Sequence, residues 1–145
     1  MMTDSSSKAI PKLVDFGLAK MIGPDEKADE PFGTLGYVAP EILSKKPYTH
    51  HCDLWSLGCI IYALMCSSLP FDHDEQKETI RMTIEDPVTF DSSTWKNFSS
   101  ASKDLITKLL MKKPEDRISL KEMMKHPWFT KQASQTVPST RLGTA

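Results

Sequence analysis

The side chains able to do chemistry are scattered along this sequence, and few are spaced to act together. Asp15, in Asp15-Phe16-Gly17, is a carboxylate at the end of the short extended run Lys12-Leu13-Val14, followed by a residue that lets the chain turn. Alone, such a triplet is unspecific. Asp53 opens an apolar run that carries no further charge; in the first turn of a helix its carboxylate suits the helix dipole and can accept backbone N–H bonds. Cys52, Cys59 and Cys66 recur at seven-residue intervals, which on a helix separates neighbours by about 10 Å, too far for a disulfide or a shared metal. They read as small, soft packing residues. His50 and His51 precede Cys52, but adjacent helical side chains diverge, so no metal centre is expected there. Gly33 and Gly36, in Gly33-Thr34-Leu35-Gly36-Tyr37-Val38, mark places where the backbone turns tightly or approaches another segment closely.

The element that must organise these residues is Asp53 to Cys66, DLWSLGCIIYALMC. At 3.6 residues per turn its apolar side chains fall on every face, so the segment predicts a central helix rather than a surface one. At about 21 Å it is too short for a membrane span. Thr49 is its expected N-cap. Before it, Met21 to Pro31 is acidic, contains Gly and Pro and has no periodic pattern, which predicts a long exposed loop. Ala39-Pro40-Glu41 opens a short helix, with Pro near its first position. Beyond the central helix, Asp72 or Asp74 is expected to cap a helix that stops at Asp86-Pro87. Ser99 is expected to cap another, whose stripe is Ala101, Leu105, Ile106, Leu109 and Leu110. Ser119 and Glu122 have capping-box spacing for a last helix, with Leu120, Met123 and Met124 inward and His126-Pro127 ending it.

Eighteen basic against nineteen acidic residues in 145, with 39% hydrophobic content, fit one ordinary domain and argue against nucleic-acid binding. Met1 leads into a polar stretch rather than an apolar one, and no run is long enough to span a membrane, so an intracellular, cytoplasmic setting without membrane attachment is expected. A polar, unpatterned tail over residues 131–145 is expected to be disordered.

Taken in order, Asp15-Phe16-Gly17, Gly33-Thr34, Ala39-Pro40-Glu41, Asp53-x-Trp55-Ser56-x-Gly58, Arg117 and His126-Pro127-Trp128-Phe129 resemble the C-terminal lobe of eukaryotic serine/threonine protein kinases over residues 1–130. Trp95-Lys96-Asn97 with Lys103-Asp104-Leu105-Ile106 resembles the calcium-dependent and calmodulin-dependent group. The resemblance implies a mainly α, partial kinase-like C-lobe with a short β remnant before Asp15. It implies that Asp15 holds Mg²⁺ on the ATP phosphates, with Phe16 packing to set its position and Gly17 permitting the turn. Gly33, Thr34, Leu35, Gly36 and Tyr37 would receive the protein substrate, and Thr34 would bond the catalytic aspartate of serine/threonine enzymes. Glu41 would pair with Arg117 in a buried structural bridge, Asp53 would hold the catalytic-loop backbone, and Trp55 would pack.

No Ser, Thr or Tyr lies between Gly17 and Gly33, so this loop cannot be ordered by phosphorylation of its own residues. By resemblance Glu30 stands where relatives carry the phosphorylated residue and Lys20 where they place a basic partner, which predicts a Lys20–Glu30 pair. The family's glycine-rich loop, strand lysine and His-Arg-Asp loop do not occur in these 145 residues. The catalytic base is therefore expected upstream of Met1, and the chain alone is expected to be inactive and to bind ATP and Mg²⁺ poorly. The central helix is expected to need a cover, supplied by the missing N-terminal kinase portion or by another protein. The alternative is a non-catalytic kinase-like interaction module buried in a larger assembly.

Overall fold

The computed structural model describes residues 3, 5–6, 9–23, 25–91 and 93–132, with side chains as far as Thr130. Its regular structure is helical: α1 (Pro40–Leu43), α2 (His51–Cys66), α3 (Gln76–Glu85), α4 (Ser100–Leu109), α5 (Leu120–Met123) and α6 (Pro127–Gln132), with short 3₁₀ turns at Ser93–Asn97 and Pro114–Asp116. Local chemistry accounts for several of the boundaries. Pro40 starts α1, where its missing N–H costs nothing. The Ser99 hydroxyl accepts from Ser102 N–H to cap α4, and Ser119 with Glu122 forms a reciprocal capping box on α5. Ser67 closes α2 in the left-handed conformation at φ 60°.

Helix α2 packs on α4, α1 on α3, and α4 on α6. The α2–α4 approach depends on Gly58, because a Cβ there would lie 2.9 Å from both Leu109 Cβ and Leu110 Cδ2. One side of α2 places Trp55, Cys59 and Tyr62 in a core with Phe71, Trp95 and Ile106. Trp55 stacks on Phe71 at 5.7 Å between ring centres, and Phe90 meets Trp95 edge-on at 4.9 Å. A second side sends Leu54 against Leu105, Leu109 and Met123. The third side is exposed at Asp53, Ile60 and Leu64, the last two 44% and 80% exposed, with Leu57 between them half-buried against the Leu54 cluster. Their spacing puts all four on one stripe of the helix. The central helix is apolar all round, as its sequence predicts, yet the described residues enclose only two of its sides. Leu13, Val14, Phe16 and Leu18 are exposed as well.

Three local expectations are corrected. The N-cap of α2 is His50, not Thr49, whose hydroxyl pairs with His51 Nδ1 at 3.0 Å instead of with a backbone N–H. Neither Asp72 nor Asp74 caps α3: Glu75 stands there, its N–H given to His73 Nδ1 at 3.1 Å. Among the described residues the short β remnant before Asp15 is a bridge residue, Pro11. Leu120 and Met124 point outward, since one turn of α5 buries only Met123. In the expected tail, α6 runs on to Gln132, and residues 133–145 lie outside the described residues.

Candidate functional site

The chain from Lys20 to Ser56 folds over the start of α2, and each turn has a local cause. Ala28 and Tyr48 exchange two backbone hydrogen bonds, at 2.9 and 2.8 Å. Two residues on, the Tyr48 hydroxyl donates to the Glu30 carbonyl at 2.8 Å, while Lys20 Nζ meets Glu30 Oε2 at 3.3 Å. The predicted Lys20–Glu30 pair is thus formed, with both side chains half exposed. Gly33 and Gly36 then adopt φ 132° and 94°, conformations that disfavour side chains. Space excludes them too: a Cβ on Gly33 would lie 2.5 Å from Val38 Cγ2, and one on Gly36 2.7 Å from Leu69 Cδ1. Leu35 sits at the tip of the turn that Tyr37 N–H closes onto Thr34 O at 3.0 Å. Ser56, from α2, donates to the Tyr37 carbonyl at 2.8 Å and ties the loop down. The outcome is a cavity of about 420 Å³ in which Lys20, Gly33, Thr34, Tyr37, Asp53 and Ser56 converge.

Asp15 stands outside that cavity. Its backbone is left-handed at φ 63°, a conformation in which Asp is tolerated better than most residues, and its Oδ1 accepts from Gly17 N–H at 3.3 Å. Its carboxylate is exposed, and Phe16, 69% exposed, does not pack against the fold. Among the described residues Asp53 receives a long contact from the Cys52 thiol, at 3.8 Å, and no other hydrogen bond to its side chain. The Thr34 hydroxyl has no hydrogen-bond partner among the described residues. No group of three possible metal ligands occurs among the described residues. Asp15 is presented to solvent, whereas Thr34 and Asp53 line the cavity.

Glu41 and Arg117 are the opposite case. Their carboxylate and guanidinium pair at 2.9 and 3.0 Å, with the two side chains 4% and 0% exposed. Arg117 Nη1 also donates to His51 O at 2.6 Å, and Nε and Nη2 reach Met111 O at 3.3 and 3.2 Å. All five guanidinium donors are thereby used. The guanidinium lies over Trp55, 5.4 Å from the ring centre, so one side chain joins α1, the start of α2 and the end of α4. Burial, His50 and then Arg117 hold the His51 imidazole below its ordinary range. Burial pushes the Cys52 thiol up to about 11 and the Cys59 thiol up to about 12, which keeps both unreactive at neutral pH.

Three contributors escaped the sequence reading. Tyr48 and Ser56 hold the loop through a hydroxyl each, and nothing in their neighbours marks a partner 18 or 19 residues away. Lys112 donates to Met82 O and Thr83 O at 3.1 and 2.7 Å, covers Phe71 at 3.8 Å from the ring centre, and is held by burial at a pKa of about 8. Its place just after an apolar stripe is the kind of position where a basic residue reaches a neighbouring helix end.

A family model described as "Protein kinase domain" matches residues 1–129. The chain is 37% identical over 135 residues to serine/threonine-protein kinase 17A of Oryctolagus cuniculus, covering 93% of this chain and 34% of that protein. It is 37% identical over 138 residues to serine/threonine-protein kinase PKZ1 of Phytophthora infestans, covering 93% and 34%. With serine/threonine-protein kinase srk1 of Schizosaccharomyces pombe the identity is 35% over 129 residues, covering 89% and 22%. The chain therefore spans about a third or less of the length of these relatives.

Proposed function

Since the chain belongs to the protein kinase domain family, whose members use ATP and Mg²⁺ and act on protein substrates, we propose that it is the segment of a serine/threonine kinase running from the metal-binding aspartate to the last helix. The observation that carries this reading is the cavity where Thr34, Tyr37, Asp53 and Ser56 meet, although they come from stretches up to 22 residues apart (56 − 34). Gly33 to Tyr37 receive the substrate residue beside the phosphorylated one. The Thr34 hydroxyl, without a hydrogen-bond partner among the described residues, and the exposed Asp53 carboxylate would meet a catalytic loop, and Asp15 is the carboxylate this segment would offer to a metal–nucleotide complex. The nearest flavour is the calcium- and calmodulin-dependent group, as the Trp95-Lys96-Asn97 stretch suggests.

Transition-state charge in this chemistry is stabilised by several preorganised groups at once, and these residues supply one of them. The 145-residue chain alone is accordingly inactive. Joined to a glycine-rich loop, a strand lysine and a catalytic loop, it is expected to transfer phosphate from ATP to a Ser/Thr peptide, and Asp15→Asn is expected to abolish the transfer. Phosphorylation by the purified chain alone would overturn the reading. The exposed Asp53, Ile60 and Leu64 of α2 also favour a second reading, a non-catalytic module covered by a different protein. A foreign partner crosslinked to Leu64, in a complex that never transfers phosphate, would select it.

A further inference from the structure

A second cavity, of about 620 Å³, opens between α1, residues 44–49 and residues 112–115. Its charges are unbalanced. Glu41 on its wall is neutralised by Arg117, whose donors are all used. Lys112 is turned onto the carbonyls at the end of α3. That leaves Lys27, Lys46 and Lys113 lining the cavity, all exposed and none in an ion pair among the described residues, against Glu115 alone. The rest of the wall includes Pro40, Pro47, Pro114 and Ile84, an apolar surface that rigid rings keep open. The volume lies in the usual range of ligand sites, about 300–1,000 Å³.

We propose that this cavity is a docking site for an acidic partner peptide, one anionic side chain meeting Lys46 and Lys113 while a neighbouring aliphatic side chain lies on Pro40, Pro47 and Ile84. Charge complementarity decides the class of occupant. Three unpaired ammonium groups around a hollow repel basic segments and draw acidic ones, whereas a purely apolar occupant would leave those charges in a drier setting with no partner. The anion is a glutamate carboxylate or a phosphoserine phosphate, which share this chemistry. Tyr48 lines both cavities, and its hydroxyl holds Glu30, so the occupied site would abut the loop that shapes the first cavity. The proposal does not depend on phosphoryl transfer and can fail or succeed separately from it.

The test is fluorescence anisotropy of the 145-residue chain with three labelled peptides, Glu-Leu-Glu-Glu, phosphoserine-Leu-Glu-Glu and Gln-Leu-Gln-Gln. The two acidic peptides are expected to bind at least about tenfold more tightly than the neutral one, and a further tenfold preference for one acidic peptide identifies the anion. Raising salt from about 50 to about 200 mM should weaken both. The double variant Lys46→Ala/Lys113→Ala should weaken them about tenfold, and Glu115→Lys should tighten them. Equal affinity for all three peptides, binding of none, or unchanged affinity in the folded double variant would each overturn the proposal. If the double variant unfolds, Glu115→Lys decides, and failure to tighten overturns it.

Discussion

Two acid–base pairs of nearly equal length divide this molecule. Glu41–Arg117 closes at 2.9 Å where water does not reach, and Lys20–Glu30 at 3.3 Å where half of each side chain is wet. The first sits among Trp55, the start of α2 and the end of α4, and uses every donor it has. The second is a single contact on a loop. Separation does not tell them apart; surroundings do. A buried pair that loses one partner leaves a charge with neither water nor counter-ion, whereas an exposed pair that loses one returns to solvent.

The largest expected effect is at the hub. Arg117→Ala should lower unfolding free energy by about 3–5 kcal/mol, read by denaturant titration, because the Glu41 carboxylate is left buried and unpaired. A loss below 1 kcal/mol would break the contrast with the loop. Next comes Gly58→Ala, where the added methyl meets Leu109 and Leu110 at 2.9 Å; about 1–3 kcal/mol should be lost, with the midpoint moved and the denaturant slope kept.

A pH series sharpens the comparison on the buried side. Burial holds Lys112 at about 8, below its ordinary 10.5, so above pH 8 the unfolded chain binds the proton that the folded chain has released. Stability should rise with pH from about 8 to 9. Above 9 the Cys52 and Cys59 thiols, raised in the fold, begin to work in the opposite direction, since the unfolded chain then loses protons first. Lys112→Met should flatten the rise between 8 and 9. The smallest effect is Lys20→Ala, expected to cost under about 1 kcal/mol, and less in high salt.

Much of this arrangement could be read from residue types in order. The capping pairs Ser99–Ser102 and Ser119–Glu122 rest on contacts within four residues, and the α4 stripe of Leu105, Ile106, Leu109 and Leu110 is buried as its period requires. The Glu41–Arg117 and Lys20–Glu30 pairs were reachable only through family order, because nothing local links residues 76 apart. Where side chains compete for the same group, sequence misleads. Thr49 looked like a cap but is taken by His51, and α3 starts at Glu75 with no side chain capping it, His73 Nδ1 accepting from the Glu75 N–H just outside the helix. Ser56 and Tyr48 act on carbonyls of distant turns, which no spacing rule predicts. Met124 failed for another reason: a helix of one turn cannot turn three residues inward at once.

The exposed third side of α2 has a consequence for the order of assembly. Trp55, Cys59 and Leu54 find their neighbours within this chain, so the helix can be formed and held before its third side meets anything. On the proposed reading, in which a further segment covers that side, completion is an encounter with a preformed surface. If a separate polypeptide brings the cover, its rate scales with both concentrations; if the same polypeptide does, dilution leaves it unchanged.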